Sequence, residues 1–319
     1  MGALMAIPQS FMEILQCPIS GKPLRENDGV LEIEGHGGSY PISPSAIPLF
    51  AHHFCSEDAL RQKEHYERIA ADYLDNLSYT HTQEYMRYLD TAFFDALDSE
   101  SLGRCAEICC GSAEACQLLE HRISLGIGVD ISLSMIEVAK LKISSDRFLF
   151  VQGDATALPI QNAVLDSVVI FGGIHHVNDR VGLFREIYRV LKPGGSFYWR
   201  EPVSDFALWR LLRNVIYRLS PTLDHETEKP LQYRNTKMLM EAAGFNMTHW
   251  RTYGFLGYCL LMNSDVLVFN RIFRFIPGIT LLTQLAAKMD DFIVRLPGMR
   301  RNGLIVIGSA RKPFLGATP

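Results

Sequence analysis

Residues 105–121 read Cys-Ala-Glu-Ile-Cys-Cys-Gly-Ser-Ala-Glu-Ala-Cys-Gln-Leu-Leu-Glu-His. An apolar run breaks at a turn of small residues, Cys109 to Ala113, and a helical run starts directly after it. Such a turn lets backbone N–H groups approach a ligand, and the helix start favours negative charge there. Working outward, the same alternation continues through GIGVD (126–130), SMIEVAKLK (134–142), RFLFVQGD (147–154), SVVIFGG (167–173), GLFREIYRVLK (182–192) and GSFYWREP (195–202). Short β-rich runs alternating with helical runs predict a parallel sheet with right-handed crossovers, a doubly wound, Rossmann-like α/β core. A dinucleotide site would want G-x-G-x-x-G after the first strand, whereas this turn holds one glycine, Gly111.

Glu107, Cys109, Gly111 and Ala113 stand at the spacing of an acidic-x-G-x-G-x-G loop. Asp130 closes the next strand about 20 residues later, where a carboxylate can accept from both hydroxyls of a ribose. Asp130-Ile131-Ser132 with Met135, then Gly153-Asp154-Ala155 with Leu158-Pro159, and finally Leu165 to Val169 and Leu191 to Gly195 follow in order. Together these motifs, over 104–201, resemble the class I S-adenosylmethionine-dependent methyltransferases, in particular the ubiquinone and menaquinone methyltransferase-like group. The resemblance implies a seven-stranded sheet and S-adenosylmethionine as cofactor. It implies Glu107, Gly111, Ser112, Asp130, Ile131, Met135, Asp154, Ala155 and Phe171 as cofactor contacts, with Asp154 meeting the adenine amino group. Upstream, His65 to Tyr73 resembles the segment that covers the cofactor in these enzymes, with Tyr66 and Tyr73 as the contacts. Read without the resemblance, Glu107 is a strand-end charge, Asp130 a helix N-cap, Met135 core, and the two tyrosines packing residues. Lys192-Pro193-Gly194-Gly195 is read as a structural helix stop and turn.

Methyl transfer from a sulfonium asks the protein mainly for positioning, and a base matters only if the acceptor must lose a proton. Candidates belong at the carboxyl ends of the strands. His175 and His176 follow the fourth strand, and imidazole titrates near neutral pH. Glu201, ending the fifth, is a candidate for orienting a substrate or acting as base. Asp224-His225-Glu226 is a candidate lid. The bland alternatives are loop-building histidines, a Glu201 ion pair with Arg200, and a solvated turn.

The flanks carry different patterns. Residues 1–55 form a β-rich module, with Val30 to Ile33 and Tyr40 to Ile42 as strands. Met12 to Pro18, Lys22-Pro23-Leu24, Ser39 to Ile42 and Ile47-Pro48-Leu49 resemble the Trm112-like domain, often zinc-binding. Here Cys17 has Ser20 at its partner's place and His36-Gly37-Gly38 near the second pair, so the four ligands of a structural zinc are incomplete and no metal is expected. Residues 56–100 read as helices capping the cofactor, 101–253 with 302–313 as the core, and 254–301 as a helical insertion. That insertion mixes many Leu, Phe and Ile with Arg271, Arg274, Lys288, Arg295, Arg300 and Arg301. It is expected to roof an apolar pocket or to rest on a membrane surface, with a helical subdomain packing its own core as the plain alternative.

A net charge of −4 and a pI near 6.2 over 319 residues give no global reason to bind nucleic acid. Seven cysteines, odd in number and without regular spacing, fit reduced thiols in the cytoplasm. Neither a secretory signal nor a spanning segment of about 20 apolar residues is read. The leading expectation is methylation of a small, hydrophobic or aromatic metabolite. Two alternatives stay open: a ribosomal or transfer RNA base methyltransferase, and a cofactor binder without turnover.

Overall fold

Strand-forming runs between helical segments become a seven-stranded sheet in the computed structural model, which describes residues 6–52, 55–211, 229–262 and 268–314, side chains of 69–73, 268 and 269 excepted. The chain begins with a short helix α1 (Gln9–Met12) and three antiparallel strands, β1 (Leu24–Asn27), β2 (Val30–Ile33) and β3 (Ser39–Pro41). Two helices follow, α2 (Glu57–Leu77) and α3 (Thr80–Ala96). Then come β4 (Gly103–Ile108), α4 (Glu114–Leu119), β5 (Ile123–Asp130), α5 (Leu133–Lys142), β6 (Phe148–Gln152), β7 (Leu165–Phe171), α6 (Arg180–Val190) and β8 (Leu191–Pro202). The rest is α7 (Tyr233–Ala242), β9 (Asn246–Tyr253), α8 (Leu256–Leu261), α9 (Ile279–Arg295) and β10 (Ile305–Arg311).

The sheet order is β6-β5-β4-β7-β8-β10-β9, parallel except for β10, which runs antiparallel to both neighbours. The expected α/β architecture is therefore present, with helices covering the faces. This is why β6, Phe-Leu-Phe-Val-Gln, is buried throughout instead of alternating. The chain builds outward from β4 to β6, then returns to β7 on the other side. The crevice above β4 and β7 is thus the switch point at which such sheets bind ligands.

Local signals explain three of the helix starts. Ser56 caps α2 by accepting from the Ala59 N–H, Ser132 caps α5 from Met135, and Asp179 caps α6 from Gly182. Lys192 to Gly195 departs from the turn reading: α6 passes straight into β8, which starts at Leu191 and absorbs these residues beside a register shift against β7. Residues 207–211 are helical, and Asp224 to Glu226, the candidate lid, lie outside the described residues.

The N-terminal strands do not float free. Leu49 pairs in parallel with Gln152 of β6, Gln16 N–H donates to Pro159 O at 3.1 Å, and Gln161 N–H to Ile14 O at 2.8 Å. Phe11 and Leu15 share one core with Val151, Leu158 and Ile160, so the module covers the edge strand of the sheet. Cys17 Sγ lies 3.1 Å from the Tyr40 hydroxyl. Among the described residues no group of three or more His, Cys, Asp or Glu is placed to hold a metal ion. No described helix is long and apolar enough to cross a membrane.

The insertion is pinned to α3 by buried polar contacts. Asp290, fully buried, accepts from Tyr85 Oη at 2.6 Å and from the N–H groups of Phe255, Gly257 and Tyr258 at 2.8, 3.0 and 2.8 Å. One carboxylate thereby satisfies the start of α8 and locks it to α9 and α3.

Candidate functional site

A cavity of about 380 Å³ opens at the carboxyl ends of β4 to β7, within the range of small-molecule pockets. Its floor is the turn quoted at the outset. Cys109, Gly111 and Ala113 all adopt left-handed backbone, with φ of 53°, 47° and 63°. These are the three glycine positions of the resembled loop. The turn has kept its shape although two positions carry a Cβ, at about 1–2 kcal/mol each. Glu107 helps hold it: 1% exposed, it accepts from the N–H groups of Ala115 and Cys116 at 2.9 and 2.7 Å at the start of α4. Burial pushes its carboxyl up to about 7, against the pull of those N–H groups.

Asp130 reaches back from the end of β5. One oxygen accepts from Gly111 N–H at 2.7 Å and the other from Ser132 N–H at 2.9 Å. A carboxylate has about four acceptor sites. The Ile131 N–H draws on the same carboxylate, which lines the cavity and retains acceptor capacity for a ribose hydroxyl. Asp130 is not the cap of α5, because Ser132 is. Glu67 of α2 also closes that helix start, accepting from Leu133 N–H at 3.0 Å. Met135 is buried under Gly111, its methyl 3.4 Å from where a β-carbon would stand. Ile131, Ala155 and Phe171 line the cavity, as does Ser112, whose hydroxyl receives Lys142 Nζ at 2.9 Å.

Asp154 lines the cavity too, but its capacity is used. One oxygen accepts from the Thr156 N–H and hydroxyl at 2.8 and 2.7 Å, the other from the Ser56 N–H and hydroxyl at 2.9 and 2.7 Å. Although burial raises its pKa, these four bonds win and hold the carboxyl below its usual range. Here Asp154 anchors the start of α2 to the sheet, and meeting an adenine amino group requires Ser56 to yield.

The candidate catalytic residues separate. His176 lines the cavity, its Nε2 2.9 Å from the Tyr66 hydroxyl. His175 lies beneath, ring centroids 3.9 Å apart, and directs Nδ1 at Glu201 Oε2, 2.8 Å away. Glu201 is fully buried and accepts from the N–H groups of Gly173 and Ile174 at 2.6 and 2.8 Å. Burial pushes its carboxyl up to about 7, against those N–H groups and the His176 charge. The structure thus places Glu201 behind the cavity wall, building the loop that presents His176. Tyr73 lies on α2, and its side chain is outside the described residues.

Several wall residues were not read from sequence. Ser56 had a signal, a Ser before Glu57-Asp58 at a helix start. Glu114 had none: it pairs behind the wall with Arg200, whose guanidinium is 8% exposed, pairs with Asp90 at 2.6 Å rather than with Glu201, and lies 4.1 Å over the Phe171 ring. These partners are 86 and 110 residues away in sequence.

The buried carboxylates set a pH response. Glu107 and Glu201 titrate near 7 when folded and at about 4.3 when unfolded. Between these values the folded state binds more protons, so their contribution to stability declines as pH rises through that window. Asp154, lowered on folding, acts oppositely, its contribution being lost only as pH falls below about 4. The denaturant midpoint is expected to fall from about pH 4.5 to 7 and level off above, with a shallower slope in Glu107→Gln. A midpoint that rises across this window contradicts the assignment.

Residues 106–199 match a family described as Methyltransferase domain. The demethylmenaquinone methyltransferase of Roseiflexus castenholzii is 28% identical over 171 residues, covering 51% of this chain and 71% of that protein. The demethylmenaquinone methyltransferase of Lactococcus lactis is 36% identical over 95 residues, 28% of this chain and 38% of that protein. Among solved structures, a chain from the complex of the Haloferax volcanii Trm112 methyltransferase activator with a methyltransferase superposes with a TM-score of 0.52 at 17% identity, covering 82% of this chain and 99% of that one. At that identity the likeness speaks for the fold.

Proposed function

We propose that the chain, a class I S-adenosylmethionine-dependent methyltransferase, methylates a small, hydrophobic or aromatic metabolite. The observation that supports the cofactor half of this reading is the Asp130 carboxylate, which lines a cavity floored by a left-handed turn and holds that turn through Gly111 N–H. The cofactor supplies the electrophilic methyl group. Asp130 and the turn at Cys109 to Ala113 hold its ribose and amino-acid ends, Met135 and Ile131 pack the adenine side, and α2 closes over it. His176 and Tyr66 hold the acceptor and carry a proton at Nε2 or Oη when one must leave. Glu201 fixes His175 and so the orientation of His176; it is a positioning residue. Residues 1–55 serve as a Trm112-like module in the same chain, without metal. Two relatives named for demethylmenaquinone support an apolar, aromatic acceptor.

Incubation with methyl-labelled cofactor and fractionated extract is expected to place label in the small-molecule or lipid pool. The same assay with His176→Asn should run about a hundredfold slower, as for loss of an acid–base group. Label entering RNA overturns the reading, as does cofactor binding with no label transferred to any pool.

A further inference from the structure

Helix α9 is buried along one side and bare along the other. Ile279, Thr283, Ala287, Asp290 and Val294 face the protein. Leu281, Leu282, Leu285, Met289, Phe292 and the C-cap Leu296 are between 40% and 65% exposed. At 3.6 residues per turn these six fall within an arc of about 100°. Neighbouring elements continue the pattern: of the nineteen large apolar side chains exposed among the described residues, eleven lie in 254–301. Single exposed leucines need no account, but such a concentration marks an interaction surface.

Charge selects the occupant. Residues 254–301 contain six Lys and Arg against three Asp, in a chain whose net charge is −4. Asp290 is buried, and Asp291 is shared between Arg251 and Arg295 at 3.2 and 2.5 Å. Lys288 and Arg295 are exposed and fall within roughly 40° of one border of the apolar arc. Lys and Arg beside an apolar helical stripe suit an interface of anionic headgroups over acyl chains. A two-fold contact with a second copy through this face would set the same cations against each other.

We propose that the outer face of α9 seats the protein on an anionic lipid surface, the helix lying in the interface plane with its apolar arc in the acyl boundary. This deepens the reading of an apolar acceptor, on which it rests, by placing the enzyme where such an acceptor partitions. The test uses neither cofactor nor acceptor, so its failure is separable from failure of the methylation reading. The full chain is floated with vesicles of phosphatidylcholine alone or with phosphatidylglycerol added. Binding is expected to the anionic vesicles and to weaken as salt rises. The double variant Leu285→Glu, Phe292→Glu should lose about tenfold or more in partitioning. Both positions face solvent, so an unchanged melting temperature checks that the variant folds. Lys288→Glu should lower the preference for the anionic vesicles. Absence of flotation with either vesicle overturns the proposal. So does flotation indifferent to the double variant, or self-association abolished by that variant without vesicle binding.

Discussion

Asp130→Ala is expected to weaken S-adenosylmethionine binding by about a hundredfold or more. Hydrogen bonds to a charged acceptor contribute roughly 1.5–3 kcal/mol each, and the substitution removes the proposed ribose bonds to a carboxylate that lines the cavity. The substitution also orphans the Gly111 N–H, whose bond holds the left-handed turn in place. Asp154→Ala supplies the comparison. All four acceptor sites of Asp154 are spent on Thr156 and Ser56, so its removal should loosen the start of α2 and affect binding less. Calorimetric titration of both variants orders the two effects. An Asp130→Ala affinity within threefold of the parent, or a larger loss from Asp154→Ala, would sink the assignment of Asp130 to the ribose.

Arg200→Met carries the largest expected cost to stability, about 3–5 kcal/mol. The guanidinium is buried between Asp90 of α3 and Glu114 of α4. Its charged state survives burial because the two carboxylates outweigh the desolvation cost. Methionine replaces the volume but leaves two carboxylates facing each other without a cation, the circumstance in which breaking a buried pair is most costly. Contact with the Phe171 ring is lost too. Denaturant unfolding measures the change. A loss below about 1 kcal/mol would mean that water enters and screens the two acids.

The sheet was legible because its evidence is local and repeated. The parallel strands centre on apolar runs, and the starts of α2, α5 and α6 carry a capping side chain, Ser56, Ser132 and Asp179. The place of Asp130 on the cavity was legible for the same reason, since it stands at a strand end a fixed distance past the turn. The division of labour among acids was not. Glu107, Asp130, Asp154 and Glu201 are all carboxylates at strand ends, yet two cap backbone N–H groups, one ties down a helix and one retains acceptor capacity on the cavity. Which role each takes depends on partners brought together by the fold. The histidine pair shows the same limit: neighbours in sequence, they point one ring at Glu201 and the other into the cavity.

Residues 1–55 invite description as a detachable unit, with their own three-stranded sheet. Phe11, Leu15, Val151 and Ile160 nevertheless occupy one continuous interior. Boundaries drawn by strand pattern are then not boundaries of cooperativity: the module and the edge of the large sheet gain and lose their order together. A chain trimmed before β4 would forfeit not an accessory but one wall of its own interior, and would leave β6 open to pairing with strangers.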